Sequence, residues 1–361
     1  MATGRGYLGF CGMKEQAAHR TALAASDKVP FVSEGITEDI ARIESDWLDG
    51  KSGRRGDEAG PISVTGPIEM VMMHDELDAG EFVGVGLPIA AAMGTATYSA
   101  GEGVNQITLA ESPAESLTVA FEKTVSVHEI VGTQFKGFVI TGATGGDFRC
   151  TLDCVSYDYD MTPANTSGDL SSLPTVIPPR WLFGDVQFRM ATDFSDILAA
   201  GDLVSISSFT LNYGAGMSDP EWATPLNSVS DPYGTDANRS MKSERNDFRD
   251  ITVEITVPRY TANTWKTAHQ ADSPIQAWMQ ISASGTRRAW MYFPYMKITN
   301  IGQPIAGPGF IVETITLKCF RGEVYNAGAG NTVQVFTDTS TLITQEFAIE
   351  TDNDRSAAII T

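Results

Sequence analysis

Asp250-Ile-Thr-Val-Glu-Ile-Thr-Val257 alternates polar and apolar side chains without a break. Only a strand puts successive side chains on opposite faces, so one face here is apolar and the other carries Thr252, Glu254 and Thr256. The same period of two recurs in residues 62–72, 116–122, 138–141, 147–155, 185–190, 205–211, 277–281, 289–293 and 310–317. These stretches are rich in Val, Ile, Thr and aromatic residues and are bounded by Gly, Pro, Asn and Asp. Helical patterns are few: residues 35–48, 78–93 and 262–270. The chain therefore reads as mainly β, with a sandwich or barrel as the expected architecture.

Outward from that strand, the order of elements repeats. Residues 46–60 form a polar loop with Lys51, Arg54 and Arg55, followed by the strand 62–72, a helical segment, two further strands, and a Gly-rich turn at 142–146 leading into 147–155. Residues 214–248 form a second polar loop with Arg239, Lys242 and Arg245, followed by 250–257, a helical segment around Trp265, two strands, and the turn 302–309 leading into 310–317. Each last strand ends near a cysteine, Cys154 or Cys319. Residues 161–180, rich in Ser, Thr, Pro and Gly, read as the linker between two tandem units.

Composition narrows the function. The chain has 361 residues, 42% hydrophobic and 9% aromatic, enough apolar content for a core and too much for a disordered chain. Its 25 Lys and Arg against 45 Asp and Glu give a formal charge of −20, which repels a polyanion at long range and argues against a conventional nucleic-acid reader. No stretch has the make-up of a signal peptide or a transmembrane helix, so no membrane partner is expected. Cys11, Cys150, Cys154 and Cys319 are too few for a disulfide scaffold; Cys150 and Cys154 share one strand face and read as buried apolar residues, not metal ligands.

Catalytic motifs are missing as well. There is no HExxH helix, no GxSxG elbow and no P-loop, and Gly84-Val-Gly86 lacks the third glycine of a dinucleotide fingerprint. His74-Asp75-Glu76 is the histidine beside carboxylates, and it reads as a solvated turn after a strand. Tyr157-Asp-Tyr-Asp160 lacks the glycine and terminal glutamate of a calcium loop. Neither an enzyme, a metal nor a cofactor is expected.

Several stretches, in order along the chain, resemble the major tail tube proteins of long-tailed bacteriophages, in the branch with a duplicated chain. They are Gly4-Arg-Gly-Tyr-Leu-Gly-Phe10, Val32-Ser-Glu-Gly-Ile36 and Val64-Thr-Gly-Pro-Ile-Glu69 in the first half. In the second half they are Asp202-Leu-Val-Ser-Ile-Ser-Ser-Phe-Thr-Leu-Asn212, Asp250 through Tyr260, Pro294-Tyr-Met-Lys-Ile-Thr299 and Pro304-Ile-Ala-Gly-Pro-Gly309. The chain departs from the pattern in the Gly/Ala-rich residues 79–103 and in residues 322–361, which run past the last matching strand.

The resemblance implies a structural virion protein, located in the tail and made in the host cytoplasm. Each chain would hold two tandem β-sandwich or barrel folds with a short flanking helix: an N-terminal arm at 1–30, a first domain at 31–160, the linker 161–180, a second domain at 181–321, and an extension at 322–361. Copies would form stacked rings enclosing a channel for the genome, with a trimer of pseudo-sixfold symmetry favoured over a hexamer. Other tail proteins, such as the tape measure and the terminator, are the further partners. An acidic wall would let the duplex pass without binding, because a basic wall would capture it through counterion release. Carboxylates alternating with apolar residues are the wall candidates: Glu69 and Glu254, in corresponding strands, then Glu122, Asp153 and Glu313. Lys51, Arg54, Arg55, Arg239, Lys242 and Arg245 are the candidates for contacts to the next ring or neighbouring subunit. The alternative is a soluble β-sandwich binding module for a carbohydrate or surface partner, for which Trp278, Trp290 and Tyr292 form the best aromatic group.

Overall fold

The computed structural model describes residues 9–19, 21–44, 56–112, 116–166, 170–192, 200–218, 242–283, 287–305, 307–322, 334–338 and 341–360. The first half holds β1 (Phe10–Glu15), β2 (Asp27–Lys28), β3 (Phe31–Glu34), β4 (Thr37–Glu44), β5 (Asp57–Val71), β6 (Glu76–Asp78), β7 (Glu81–Val83), α1 (Gly86–Met93), β8 (Gly94–Ser99) and β9 (Val104–Leu109). It continues with β10 (Leu117–Glu122), β11 (Val127–Ala143), β12 (Arg149–Ser156) and β13 (Asp158–Asp160). The second half holds β14 (Val186–Ala191), β15 (Ser208–Gly214), β16 (Asp250–Val257), α2 (Thr264–Gln270), β17 (Ile275–Ser282), β18 (Arg288–Gly302), β19 (Glu313–Cys319) and β20 (Ala348–Asp352).

One pairing order occurs twice. In the first half β1 pairs β10, β10 pairs β11, β11 pairs β12, β12 pairs β5, and β5 pairs both β3 and β4. In the second half β14 pairs β17, β17 pairs β18, β18 pairs β19, β19 pairs β16, and β16 pairs β15. Thr151 opposes Glu69 just as Thr316 opposes Glu254, and Cys154 and Cys319 each lie three residues further along.

The halves then merge. β11 and β15 pair from Gly137↔Gly214 to Ala143↔Ser208. The result is a continuous run of eight strand positions: β3 with β4, then β5, β12, β11, β15, β16, β19 and β18. A second tie comes from the C-terminal segment, where β20 enters between β18 and β9. All twenty strands belong to one hydrogen-bonded sheet system; it is mainly antiparallel, with β2 and β7 parallel, and it does not close into a barrel.

Period-two burial explains these strands. Ile68, Met70, Cys150, Leu152, Phe138, Ile140, Phe209, Leu211, Val253, Ile255, Ile315 and Leu317 all point to one side and are buried in one cluster. Each large side chain buried there contributes about 1.5–3 kcal/mol, which is why the register holds: a one-residue slip would turn every one of them to water. Helix α1 is buried on all sides, and this accounts for its small residues, Gly86-Leu-Pro-Ile-Ala-Ala-Ala-Met93. Pro88 is accommodated in the first turn, and Gly94 ends the helix at φ 112°.

Several expectations change. Residues 37–44 within the expected helix 35–48 form β4, a strand paired with β5. Its residues are mostly exposed on both faces, so the spacing of Ile40 and Ile43 records no buried stripe, and only Ile36 just ahead of it enters the core. Most of the Gly/Ala-rich stretch 79–103 is structured as β7, α1 and β8, so the expected helix 78–93 is confined to Gly86–Met93. The expected arm 1–30 contributes β1 and β2 to the sheet, and the extension 322–361 contributes β20. Among the described residues of the linker 161–180 there is one 3-10 turn, Leu170–Ser172, and Leu170 and Leu173 are buried against Ala25, Ala120 and Val127.

Candidate functional site

The face of the eight-position run opposite the core is polar and built from small side chains. One register row reads Ser33, Glu69, Thr151, Val139, Asn212, Thr252, Lys318, Lys297. The next reads Val71, Arg149, Thr141, Thr210, Glu254, Thr316, Asn300. A third holds Pro67, Asp153, Gly137, Gly214 and Asp250. No helix or second strand layer among the described residues covers the exposed side chains of Thr141, Thr151, Asp153, Asn212, Asp250, Glu254 and Asn300.

The charges on this face are largely balanced. Arg149 Nη1 lies 2.9 Å from Glu69 Oε1, and Ser33 Oγ donates to the other oxygen of Glu69 at 3.1 Å. Lys318 Nζ lies 2.9 Å from Asp250 Oδ1, and Lys297 binds Asp272. The neighbouring carboxylates raise Arg149: Glu69 by hydrogen bonding first, then Asp147 through its charge. The face is therefore rich in hydroxyls and weakly acidic, and most of the −20 charge lies elsewhere on the chain.

The candidate wall residues separate on this frame. Glu69, Asp153 and Glu254 share the polar face. Glu313 does not: it sits in phase with Ile315 and Leu317, is 2% exposed, and accepts a hydrogen bond from Gln303 Nε2 at 2.6 Å. A carboxylate buried within its own subunit presents no charge to a passing polymer. Glu122 ends β10, away from the eight-position run, where its carboxylate caps the backbone N–H of Leu170 at 2.7 Å.

The basic candidates separate too. Lys51, Arg54, Arg55 and Arg239 lie outside the described residues. Lys242 is half-buried at the base of the second polar loop. Arg245 is engaged inside its own subunit, with Nε donating to Ala215 O at 2.8 Å and Nη1 to Ala110 O and Glu111 O at 2.6 and 2.7 Å. The bases of both polar loops, at Glu44/Asp57 and Met217/Arg245, project from the same end of the sheet.

Trp278, Trp290 and Tyr292 are 9%, 3% and 2% exposed and pack with Phe336 and Ile343, so they offer no aromatic binding surface. The four cysteines are free and buried. Burial pushes the thiols of Cys11, Cys150 and Cys319 far above their ordinary range. None of them is a poised nucleophile.

His74 and Asp75 also depart from expectation. They are 2% exposed each, not solvated. Neither ring nitrogen of His74 has a hydrogen-bond partner, and the ring lies beside Trp181 at 5.9 Å between centroids. Burial lowers His74 from 6.5 to about 4, against the pull of Asp75 and with a smaller push from Arg287. The neutral imidazole is the form the fold holds. Its stabilising contribution is whole above pH 6.5 and is lost as pH falls toward 4, amounting to about 3 kcal/mol. His74→Leu is therefore expected to flatten the acid side of the stability profile of the unassembled chain. Urea titrations at pH 7 and pH 4 measure it, and equal losses in parent and variant would refute the assignment.

The fold is that of a β protein with one packed face and one broad polar face. The family model for phage tail tube proteins matches residues 6–319, and the chain belongs to that family. No curated protein matches the chain. A phage tail tube protein is a structural component of the virion tail, made in the host cytoplasm, and it assembles with itself and with other tail components.

Proposed function

We propose that three copies of this chain form a ring of pseudo-sixfold symmetry, that the rings stack, and that the polar sheet face lines the channel through which the genome leaves. The observation that carries the reading is the continuous eight-position run with one core face and one open, small, hydroxyl-rich face. The repeated pairing order supports treating the halves as two copies of one unit.

Strand arithmetic favours three copies. Ser33, Glu69, Thr151 and Val139 match Thr210, Glu254, Thr316 and Asn300, while Val139 itself pairs with Asn212. Each unit is thus staggered by two residues from the last. That is about 7 Å along the strands for about 19 Å across four of them, a tilt of about 20°. A steady stagger of this kind is what closing a sheet requires. Three copies supply about 24 strands and a diameter of about 39 Å between backbones, or about 29 Å once side chains fill about 5 Å on each wall. Two copies leave about 16 Å, no more than the summed groove depths of a duplex. Six copies would make a bore of about 70 Å, far wider than the cargo needs.

The free edges suit such a ring. Residues 297–302 of β18 have no second strand partner among the described residues, and neither do β3 and β4 at the opposite edge. Pairing one edge with the other between copies closes the ring and removes an aggregation liability. The described bases of both polar loops lie at one end of the sheet, the end that would meet the next ring along the axis. End-on class averages from electron microscopy of purified tubes are expected to have threefold symmetry with a sixfold repeat of density. A strict sixfold ring of undivided subunits, or no ring at all, would overturn the proposal.

A further inference from the structure

Phe248 is 92% exposed, the most exposed of the large apolar residues described. It stands two residues before β16, at the end of the sheet from which the polar loops project. At the other end of the same strand lies a groove of about 580 Å³, bordered by Leu203, Val257, Arg259, Thr264, Trp265 and Glu313. A further hollow of about 290 Å³ extends it past Leu203 and Trp265 to Asp202. On its border Leu203 is 56% exposed, and the Arg259 guanidinium lies 4.3 Å from the ring centre of Phe310, itself 71% exposed.

We propose that Phe248 of one copy seats in the groove between Leu203 and Trp265 of a copy in the next ring. The inference rests on the stacked-tube reading and assigns that contact its residues. Knob and groove are the two ends of one strand, about 33 Å apart for the ten residues from Phe248 to Pro258. A copy displaced along the strand direction by about that distance brings its knob to the groove. The contact joins unlike surfaces, so repeating the displacement never closes and generates an open stack, which is what a tube requires. Charge agrees with this occupant. Phe248 is flanked by the exposed Asp247, the groove is bordered by the exposed Arg259, and the exposed Lys266 follows Trp265 on α2. Trp265, half-buried at the start of α2, supplies an aromatic wall that an inserted ring can pack against.

The test uses the purified full-length chain. Phe248→Ser touches no core, so the subunit is expected to fold and form single rings. The concentration needed for tubes, read by sedimentation and electron microscopy, is expected to rise about tenfold or more. A second variant carries Phe248→Cys and Leu203→Cys together; the native cysteines are all buried. Mild oxidation of its assembled tubes is expected to give a ladder of covalent multimers, and oxidation of unassembled subunits none. Tubes of Phe248→Ser at the parent concentration, or assembled tubes without a ladder, would overturn the contact and leave the groove to another tail component. Failure of the parent chain itself to form tubes would instead count against the stacking reading.

Discussion

Virions carrying Asp153→Lys with Glu254→Lys are expected to assemble tails of normal length and to release their genome slowly and incompletely. Both side chains are exposed on the polar sheet face, in rows two strand positions or more apart, and neither packs in the core. The substitutions remove two negative and add two positive charges per chain on a face whose cations Arg149 and Lys318 already sit in salt bridges with Glu69 and Asp250. A wall of new, unbalanced lysines meets a duplex that carries about one charge per 1.7 Å of axis. Each phosphate neutralised releases counterions and adds about −0.9 to the slope of log affinity against log salt. Ejection is therefore expected to slow most at low ionic strength and to recover as salt rises. Release followed by light scattering or a DNA-binding dye, across a salt series, measures this. Ejection equal to the parent at every ionic strength would remove the face from the channel wall.

Glu69 is the less informative position, although its strand corresponds to that of Glu254. Its carboxylate accepts from Arg149 and Ser33 at once. A lysine there would lie against Arg149, so a defect could come from local repulsion as easily as from DNA. The balanced pairs also alter how the acidity bears on sliding. If the face lines the channel as proposed, it would offer a passing duplex mainly hydroxyl groups and few unengaged cations, with a weak negative excess and no dense belt of carboxylates.

How far this was legible depended on what covers each strand. β5, β12 and β16 each bury one face, so alternation in Ile68-Glu-Met70, Cys150-Thr-Leu-Asp-Cys154 and Ile251-Thr-Val-Glu-Ile255 fixes both the strand and its orientation. The same rule, applied to phase, places Glu313 with Ile315 and Leu317 on the core side, although alternation alone suggests a wall residue. The sequence of β4 suggests a helix because neither of its faces is buried in the subunit, so no period of two is imposed on it. β20 failed in the opposite way. Ala348-Ile-Glu-Thr-Asp352 is buried on both faces between β9 and β18, where Glu350 takes hydrogen bonds from Tyr292 and Thr337. A polar strand satisfied by distant partners leaves no periodic trace in the sequence.

The C-terminal segment that carries β20 also holds a buried ion triad, and Arg355→Met is expected to cost the unassembled chain about 3–5 kcal/mol. Arg355 is 7% exposed, with Nε 2.5 Å from Asp75 Oδ2 and Nη2 3.0 Å from Asp27 Oδ2. Its guanidinium carbon lies 3.9 Å from the centre of the Phe82 ring. Burial works against its charge, and Asp75 with Asp27 outweighs that, raising its pKa. The site is fitted around the acid: a Cβ added at Gly84 or Gly86 would come within 2.0 or 2.1 Å of the Asp75 carboxylate, and the Gly86 N–H donates to it at 2.9 Å. Removing the cation leaves two carboxylates, 2% and 8% exposed, without their counter-charge. The size of the loss comes from that stranded charge, so adding Asp27→Asn and Asp75→Asn to Arg355→Met is expected to restore most of the stability. Breaking the Arg149–Glu69 bridge, whose side chains are 47% and 32% exposed, should by contrast cost about 0–1 kcal/mol. Urea midpoints of the four proteins decide the matter. A loss for Arg355→Met no larger than that for Arg149→Ala would mean that the segment is held by β20 pairing alone and that the buried triad is incidental.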